Sequence, residues 1–180
     1  MNSLKGQFLV ASPKLLDPNF AQTVVLMVQH DAKGALGLVI NRPLDITVRE
    51  ACEQTMGNGC EVEGVIHQGG PCEEMLMVIH ANQLAGEAEI LPNLYFSTTR
   101  DQVENLLEDP QGPMRFFVGY SGWGPGQLEG EFETGSWLAI PATADRIFGP
   151  TENLWMRLHT EANLCKWVHP SRIPDDPSTN

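Results

Sequence analysis

Residues Gly119 to Glu131 read Gly-Tyr-Ser-Gly-Trp-Gly-Pro-Gly-Gln-Leu-Glu-Gly-Glu, with Gly119, Gly122, Gly124 and Gly126 spaced around Trp123. Glycine in the interior of a helix or strand forfeits backbone entropy and supplies no side chain to pack. This density therefore predicts a loop, either on a backbone path closed to other residues or closely approached by another segment. Apolar stretches lie on both sides, so the loop joins packed elements and is not a flexible linker. Ahead of it, Met114 to Tyr120 reads as a strand through Phe116, Phe117, Val118 and Tyr120. Behind it, Pro125 suits a first helical turn and Gln127 to Phe132 reads as a short helix.

The rest of the chain alternates short strands with a few helices. Gln7 to Ala11 predicts a strand ended by Ser12-Pro13. Thr23 to Gln29 is a continuous apolar, β-branched run, which fits a strand buried on both faces. His30 to Gly34 then makes a hairpin loop, and Ala35 to Ile40 a third strand. Gly37 inside that strand points to a bulge or close backbone packing. Asn41-Arg42-Pro43 closes it. Thr47 with Glu50, and Thr99 with Gln102, have the capping-box spacing that opens a helix. Val48, Cys52 and Met56 would share one face of the first helix, which Gly57-Asn58-Gly59 ends. Val103, Leu106 and Leu107 would share a face of the second. Val62 to Gln68, Met75 to His80, Asn93 to Ser97 and Ser136 to Ile140 read as strands, and Ala81 to Pro92 as irregular. Gly69-Gly70-Pro71 reads as a tight turn, Thr143 to Phe148 as a helical turn, and Thr151 as the cap of a helix running to about Leu164. In that helix Leu154, Trp155 and Leu158 would face inward. Adjacent strand pairs with interposed helices predict an α+β class with substantial antiparallel sheet, and no doubly wound parallel sheet. A single domain over residues 1–168 and an exposed tail over 169–180, rich in Pro and Asp, complete the expectation.

Composition narrows the function classes. Lys plus Arg number 11 against 23 Asp plus Glu, a net charge of −12. Nucleic-acid affinity rests on Lys and Arg contacts to phosphates, so direct nucleic-acid binding is disfavoured. No apolar run approaches the roughly 20 residues that cross a bilayer. Met1 to Lys14 lacks the basic, apolar and small-residue order of a signal peptide, so a cytoplasmic location is expected. Cys52, Cys60, Cys72 and Cys165 form no C-x-x-C pair, which argues against zinc-ribbon and thioredoxin chemistry and for reduced, mostly buried thiols.

One family carries these motifs in order. Gly6-x-Phe8-Leu9-x-Ala11-Ser12-Pro13, Asp17-Pro18-x-Phe20, Val24-Val25 and His30-Asp31 open the pattern. Gly34-Ala35-x-Gly37-Leu38-x-Ile40-Asn41-Arg42-Pro43, Gly69-Gly70-Pro71, Gly119 to Glu129, Glu131 and Trp137-Leu138 continue it. From about Gly6 to Leu158 the chain resembles the YqgE/AlgH family. That resemblance implies an α+β fold whose largely antiparallel sheet is bifurcated or partly barrel-like, with short flanking helices, in small cytosolic bacterial proteins. The family's function is poorly defined; its members are often labelled transcriptional regulators through one linked to exopolysaccharide control. Cys72 departs from the apolar Val usual after the Gly-Gly-Pro turn.

No standard catalytic motif is present. A P-loop needs a Lys after its glycines, and the dinucleotide fingerprint needs a different glycine spacing. The nucleophile elbow G-x-S-x-G fits Gly119-Tyr120-Ser121 but meets Trp123 at its closing position. Two readings of the glycine stretch stay open: backbone N–H groups and Gln127 lining a small-molecule pocket beside Trp123, or glycines that let the chain pass around a Trp123 plug. His30 is a candidate acid or base in an exposed loop, or a turn residue beside Asp31. Arg42 could clamp an anion or pair with an internal carboxylate. His67, Cys72 and His80 match no metal-ligand spacing. Glu129 and Glu131, two apart on a helix, do not face each other as a catalytic pair.

The expected function is a regulatory or adaptor role through an unidentified protein or small-ligand partner near residues 119–127, with no cofactor. The alternative is an enzyme or small-anion sensor joining Ser12, Asn41, Arg42, Gly69, Gly70, Gly122, Trp123, Gly124 and Gln127. The alternative requires those turns to converge. The sequence specifies no oligomeric state.

Overall fold

The computed structural model describes residues 3–56 and 59–167. In chain order the first half comprises β1 (Gln7–Ala11), β2 (Val24–Asp31), β3 (Gly34–Val39), β4 (Pro43–Thr47), α1 (Val48–Met56), β5 (Val65–Gln68) and β6 (Cys72–His80). A 3-10 turn (Gln83–Ala85), β7 (Ala88–Leu91), β8 (Leu94–Ser97) and α2 (Arg100–Glu108) follow. The chain then continues through β9 (Met114–Trp123), α3 (Gln127–Glu133), β10 (Trp137–Pro141), α4 (Ala144–Phe148) and α5 (Leu154–Trp167). The strands form one curled, largely antiparallel sheet in the order β10-β1-β2-β3-β9-β6-β8-β7, a half-barrel with short helices around it.

The sheet forks at β9. One edge of β9 pairs with β6 from Cys72↔Tyr120 to His80↔Met114. The other edge changes partner. Its first half lies parallel to β5, Ile66↔Phe116 through Gln68↔Val118, and its last three residues pair antiparallel with β3, Gly37↔Ser121 through Ala35↔Trp123. Gly119 has φ +72° at the point of exchange, and Gly69 sits in the crotch. The Gly69 N–H donates to the Val118 carbonyl at 2.9 Å, and its carbonyl accepts from the Val39 N–H at 2.8 Å. The glycine-dense stretch is therefore strand through Trp123, contrary to the loop expected for it. The entropy cost of glycine is outweighed by a close crossing of backbones: a Cβ on Gly69 would lie 2.2 Å from the Gly119 oxygen.

Both faces of the β1–β3 layer are buried, as the apolar run at Thr23 predicts. Val24, Leu26 and Val28 face one cluster with Phe8, Leu38, Phe117, Leu154 and Leu158, so α5 covers that face. Val25 and Met27 face a second cluster with Leu9, Val39, Trp123, Leu128 and Trp137. A third holds α1 and α2 against β5, β6 and β9 through Val48, Cys52, Val103, Leu106, Leu107 and Phe116. Gly37 meets the expectation of close packing, since a Cβ there would stand 2.5 Å from Val25 Cγ1. The register of β2 on β3 also shifts between Met27 and Gln29.

Several local expectations need correction. Thr47 and Glu50 do form a capping box, with Glu50 Oε2 accepting from the Thr47 N–H at 2.8 Å. The Thr99–Gln102 box does not form, because the Thr99 hydroxyl donates instead to Glu87 Oε1 at 2.7 Å. Glu87 also accepts both the Thr98 and Thr99 N–H groups, so a carboxylate distant in sequence outcompetes the local cap. Ala81 to Pro92 contains β7 and the 3-10 turn, held by pairing with β8 that local propensity does not encode. β6 begins at Cys72, ahead of the expected Met75. The last helix begins at Leu154, after Asn153 at φ 55°, and not directly on Thr151. Cys52, Cys60 and Cys72 are free, but only Cys52 is fully buried. Gly57, Asn58 and the 169–180 tail, like the side chains of Met56 and Cys165, lie outside what is described.

His67 on β5 is buried against Phe117, with ring centroids 5.7 Å apart. Burial, and then the Arg115 charge, push its pKa down from 6.5 to about 4, while the Val65 and Phe116 backbone partly offset them. The unfolded ring protonates near 6.5 and the folded ring only near 4, so the unfolded chain gains protons first as pH falls. His67 thus leaves stability intact above pH 6.5 and removes about 2–3 kcal/mol of it by pH 4. Urea unfolding at successive pH values should show this loss, and His67→Gln should flatten that part of the profile. Parallel profiles for the two proteins would show that the ring is solvated.

Candidate functional site

The glycine stretch, read from its residues upward, is a lock around two indoles. Trp123 ends β9 with its ring buried in the second cluster, and Trp137 opens β10 beside it. Gly124-Pro125-Gly126 then turns the chain, Gly126 at φ 74°, into α3. One turn into α3, Glu131 Oε2 accepts from Trp123 Nε1 at 3.0 Å and from Trp137 Nε1 at 2.7 Å. Gln127 Nε2 donates to Glu131 Oε1 at 3.1 Å, while Gln127 Oε1 accepts the Gly124 N–H at 3.1 Å. Phe20 stacks on Trp123 at 5.9 Å and meets Trp137 edge-on at 5.6 Å. Glu131 belongs to the family pattern, but its role here rests on bringing two distant tryptophans together.

The segment 12–22 closes over this platform, and Asn41 and Arg42 hold its far end. Asn41 Oδ1 accepts the Val24 N–H and its Nδ2 donates to the Gln22 carbonyl. Arg42 Nη2 donates to the Pro18 carbonyl at 2.8 Å and the Ala21 carbonyl at 3.4 Å. Arg42 forms no ion pair among the described residues, and its Nη2 is engaged by backbone. Ser12 donates its N–H to the Ser136 carbonyl, and its hydroxyl accepts from Lys14 N–H. Gly70 and Gly69 lie against Tyr120 and Gly119 on β9. Ser12, Asn41, Arg42, Trp123 and Gln127 are therefore joined through the 12–22 segment and Phe20. Gly69 and Gly70 are joined to them through β9 itself. Of the nine, Gly122, Gly124 and Gln127 are exposed. A shallow cavity of about 210 Å³ touches Trp123 from the β2–β3 turn, between Asp31, Lys33, Gly34 and Leu36.

Ser121, His30 and Ser97 are each held by internal partners. Ser121 is fully buried and donates to the Gly69 carbonyl at 3.2 Å. His30 lies in β2, buried, not in the exposed loop expected for it, because the hairpin turn contains only Ala32 and Lys33. Its Nδ1 accepts the Leu4 N–H at 3.0 Å, which places the proton on Nε2 facing Glu129 at 3.1 Å. Asp31 does make the turn bond, accepting the Lys33 N–H at 2.7 Å. A Ser–His contact that sequence spacing hides joins His80 Nε2 and Ser97 Oγ at 2.9 Å. Ser97 spends its own proton on the Ala85 carbonyl at 2.6 Å, so His80 must be the donor. That polarity is the reverse of a general base activating a nucleophile, and both residues are fully buried. Among the described residues no group of three or more His, Cys, Asp or Glu is placed to hold a metal ion.

Residues 8–164 match a protein family described as AlgH-like. The chain belongs to the AlgH-like family. Among relatives, a UPF0301 protein of Myxococcus xanthus is 41% identical over 160 residues, covering 86% of this chain and 88% of that one. A UPF0301 protein of Chlorobium luteolum is 38% identical over 159 residues, covering 84% and 82%. The solution structure of the AlgH protein from Pseudomonas aeruginosa superposes with a TM-score of 0.72 at 32% identity, over 99% of this chain and 97% of that one. A crystal structure from Corynebacterium diphtheriae, at 23% identity and a TM-score of 0.70, shares the AlgH-like fold. No described helix is long and apolar enough to cross a membrane.

Proposed function

We propose that this AlgH-like protein is a non-catalytic regulatory or adaptor protein of the bacterial cytosol. It works through a protein or small-ligand contact at the exposed turn Gly122 to Gln127. The observation that carries this reading is the Trp123–Glu131–Trp137 lock. Through Glu131 and Gln127, hydrogen bonds tie an exposed, glycine-shaped turn to the two buried indoles, while nearby Ser121 and His30 are committed to internal partners. A rigid surface with little reactive chemistry suits recognition, since preorganisation lowers the ordering cost of binding. A net charge of −12 supports an indirect route to any effect on transcription. The alternative, an anion sensor on Arg42, has less support, because Arg42 Nη2 holds the Pro18 and Ala21 carbonyls of the 12–22 segment in place.

The test is Pro125→Arg, which alters the exposed turn without touching the lock. Removing a proline frees the unfolded chain and typically costs about 0.4–1 kcal/mol. The variant should stay within about 1 kcal/mol of wild-type stability yet fail to restore the transcript profile of a strain lacking the gene. Full restoration by the variant would overturn the reading. So would turnover by the purified protein in a hydrolase and oxidoreductase screen that Pro125→Arg abolishes.

A further inference from the structure

At the opposite end of β9 from Trp123, roughly 25 Å away at the rise of an extended strand, lies a cleft of about 360 Å³. Its walls are largely apolar, and His67, Arg115 and Thr151 are among its polar groups. We propose that this cleft binds a small monocarboxylate with an apolar body, its carboxylate seated on Arg115. The site is separate from the glycine turn.

Arg115 is the centre of the argument. Its guanidinium is half-buried, yet none of the ion pairs among the described residues involves it. Nη2 donates to the Gly149 carbonyl at 2.8 Å, and Nη1 reaches the Ile40 carbonyl only at 3.5 Å. A guanidinium carries five N–H donors in a planar fork that matches a carboxylate. Two carbonyls neither use all five nor balance the charge, and an unbalanced charge away from water is costly. Burial depresses the Arg115 pKa, only partly offset by Glu152, as expected of a cation that lacks a close partner. His67 is a second polar group. It is 5% exposed, and its Nδ1 has no hydrogen-bond partner among the described residues.

The remaining lining sets the ligand class. Hydrocarbon from Val48, Met114, Phe116, Phe148 and Pro150 favours an apolar body, and the volume falls in the range of small-molecule sites. Glu63 and Glu152 are exposed acids at the cleft and repel a second negative charge. A phosphate dianion therefore fits less well than a single carboxylate. Arg115 also ties the Gly149 turn to β9, and a purely structural clasp is the competing role.

Nuclear magnetic resonance on the isotope-labelled full-length protein separates the two roles. The probes are 3-phenylpropionate, its neutral amide and inorganic phosphate, followed at the His67 ring and the Arg115 guanidinium. The carboxylate should give saturable shifts at both residues at about millimolar concentration, with the amide about tenfold weaker or more. Phosphate should not saturate over the same range. Arg115→Lys should weaken carboxylate binding about tenfold, and Glu152→Gln should tighten it roughly two- to threefold. Equal binding of carboxylate and amide, phosphate binding as tight as the carboxylate, or no saturable shift by about 10 mM would overturn the proposal. Arg115→Lys binding like the wild type would overturn it as well. If Arg115→Lys fails to fold, Glu152→Gln decides, and unchanged or weaker carboxylate binding by that variant rejects the site.

Discussion

Gly70→Ala should abolish cooperative folding or cost more than about 4 kcal/mol, the range in which a single substitution marks a specific structural failure. A Cβ there would stand 2.2 Å from the Tyr120 carbonyl carbon, 2.3 Å from its oxygen and 2.5 Å from the Ser121 nitrogen, with φ at +157°. All three atoms are backbone of β9, at the point where its edge passes from β5 to β3. Side chains can repack around an extra methyl at about 1–3 kcal/mol. The fork cannot yield in that way, because Gly69 next door holds β3 and β9 together through its own N–H and carbonyl. Gly126→Ala is the control. Gly126 has φ +74° with nothing within 4 Å of a Cβ, so the cost should be the backbone term alone, about 1–2 kcal/mol. Urea unfolding followed by tryptophan fluorescence ranks the two. A Gly70→Ala variant no less stable than Gly126→Ala would mean that the crossing relaxes and that the fork does not depend on glycine.

The same contrast separates what is legible in the sequence from what only the fold supplies. Thr23 to Gln29 announces burial on both faces because its whole pattern is local, and the sheet buries it from Thr23 to Val28, leaving Gln29 exposed. Thr47 with Glu50 announces a cap for the same reason. Gly119 is legible as a demand for space, but the segment that crosses there is Gly69-Gly70, some fifty residues earlier. Read locally the demand becomes a loop; in three dimensions it is a strand crossing. Thr99 shows the converse, a correct local signal overridden by Glu87. In the candidate site, Gln127 opens a helix where the sequence places one, whereas Trp123 ends a strand and does not lie in a loop. Arg115, by contrast, carries no motif, and its incomplete bonding becomes visible only when Gly149 and Ile40 are seen around it.

Glu131→Ala should cost about 2–6 kcal/mol, from two buried indole N–H groups left unpaired at roughly 1–3 kcal/mol each. Trp123 and Trp137 are 5% and 2% exposed, so water does not readily replace the lost carboxylate. Glu131→Gln keeps an oxygen whose two lone pairs can still accept both indoles, as Oε2 does now, but it loses the charge and sets an amide NH2 against the Gln127 Nε2 donor, so it should lose about 1–3 kcal/mol. Trp137→Phe removes one donor together with its demand for a partner. In a double-mutant cycle with Glu131→Ala it should show a coupling of about 1–3 kcal/mol, measured by urea unfolding. Additive losses would mean that the two tryptophans do not share the carboxylate as their distances of 3.0 and 2.7 Å indicate. The consequence for function follows from where Glu131 acts. Gln127 Nε2 also donates to Glu131, and Gln127 Oε1 holds the Gly124 N–H, so one carboxylate connects the buried indoles to the exposed turn. Losing it frees that turn even where the remaining fold survives. Glu131→Ala and Pro125→Arg should then produce the same cellular defect by different routes, the first with a large fall in stability and the second with a loss within about 1 kcal/mol.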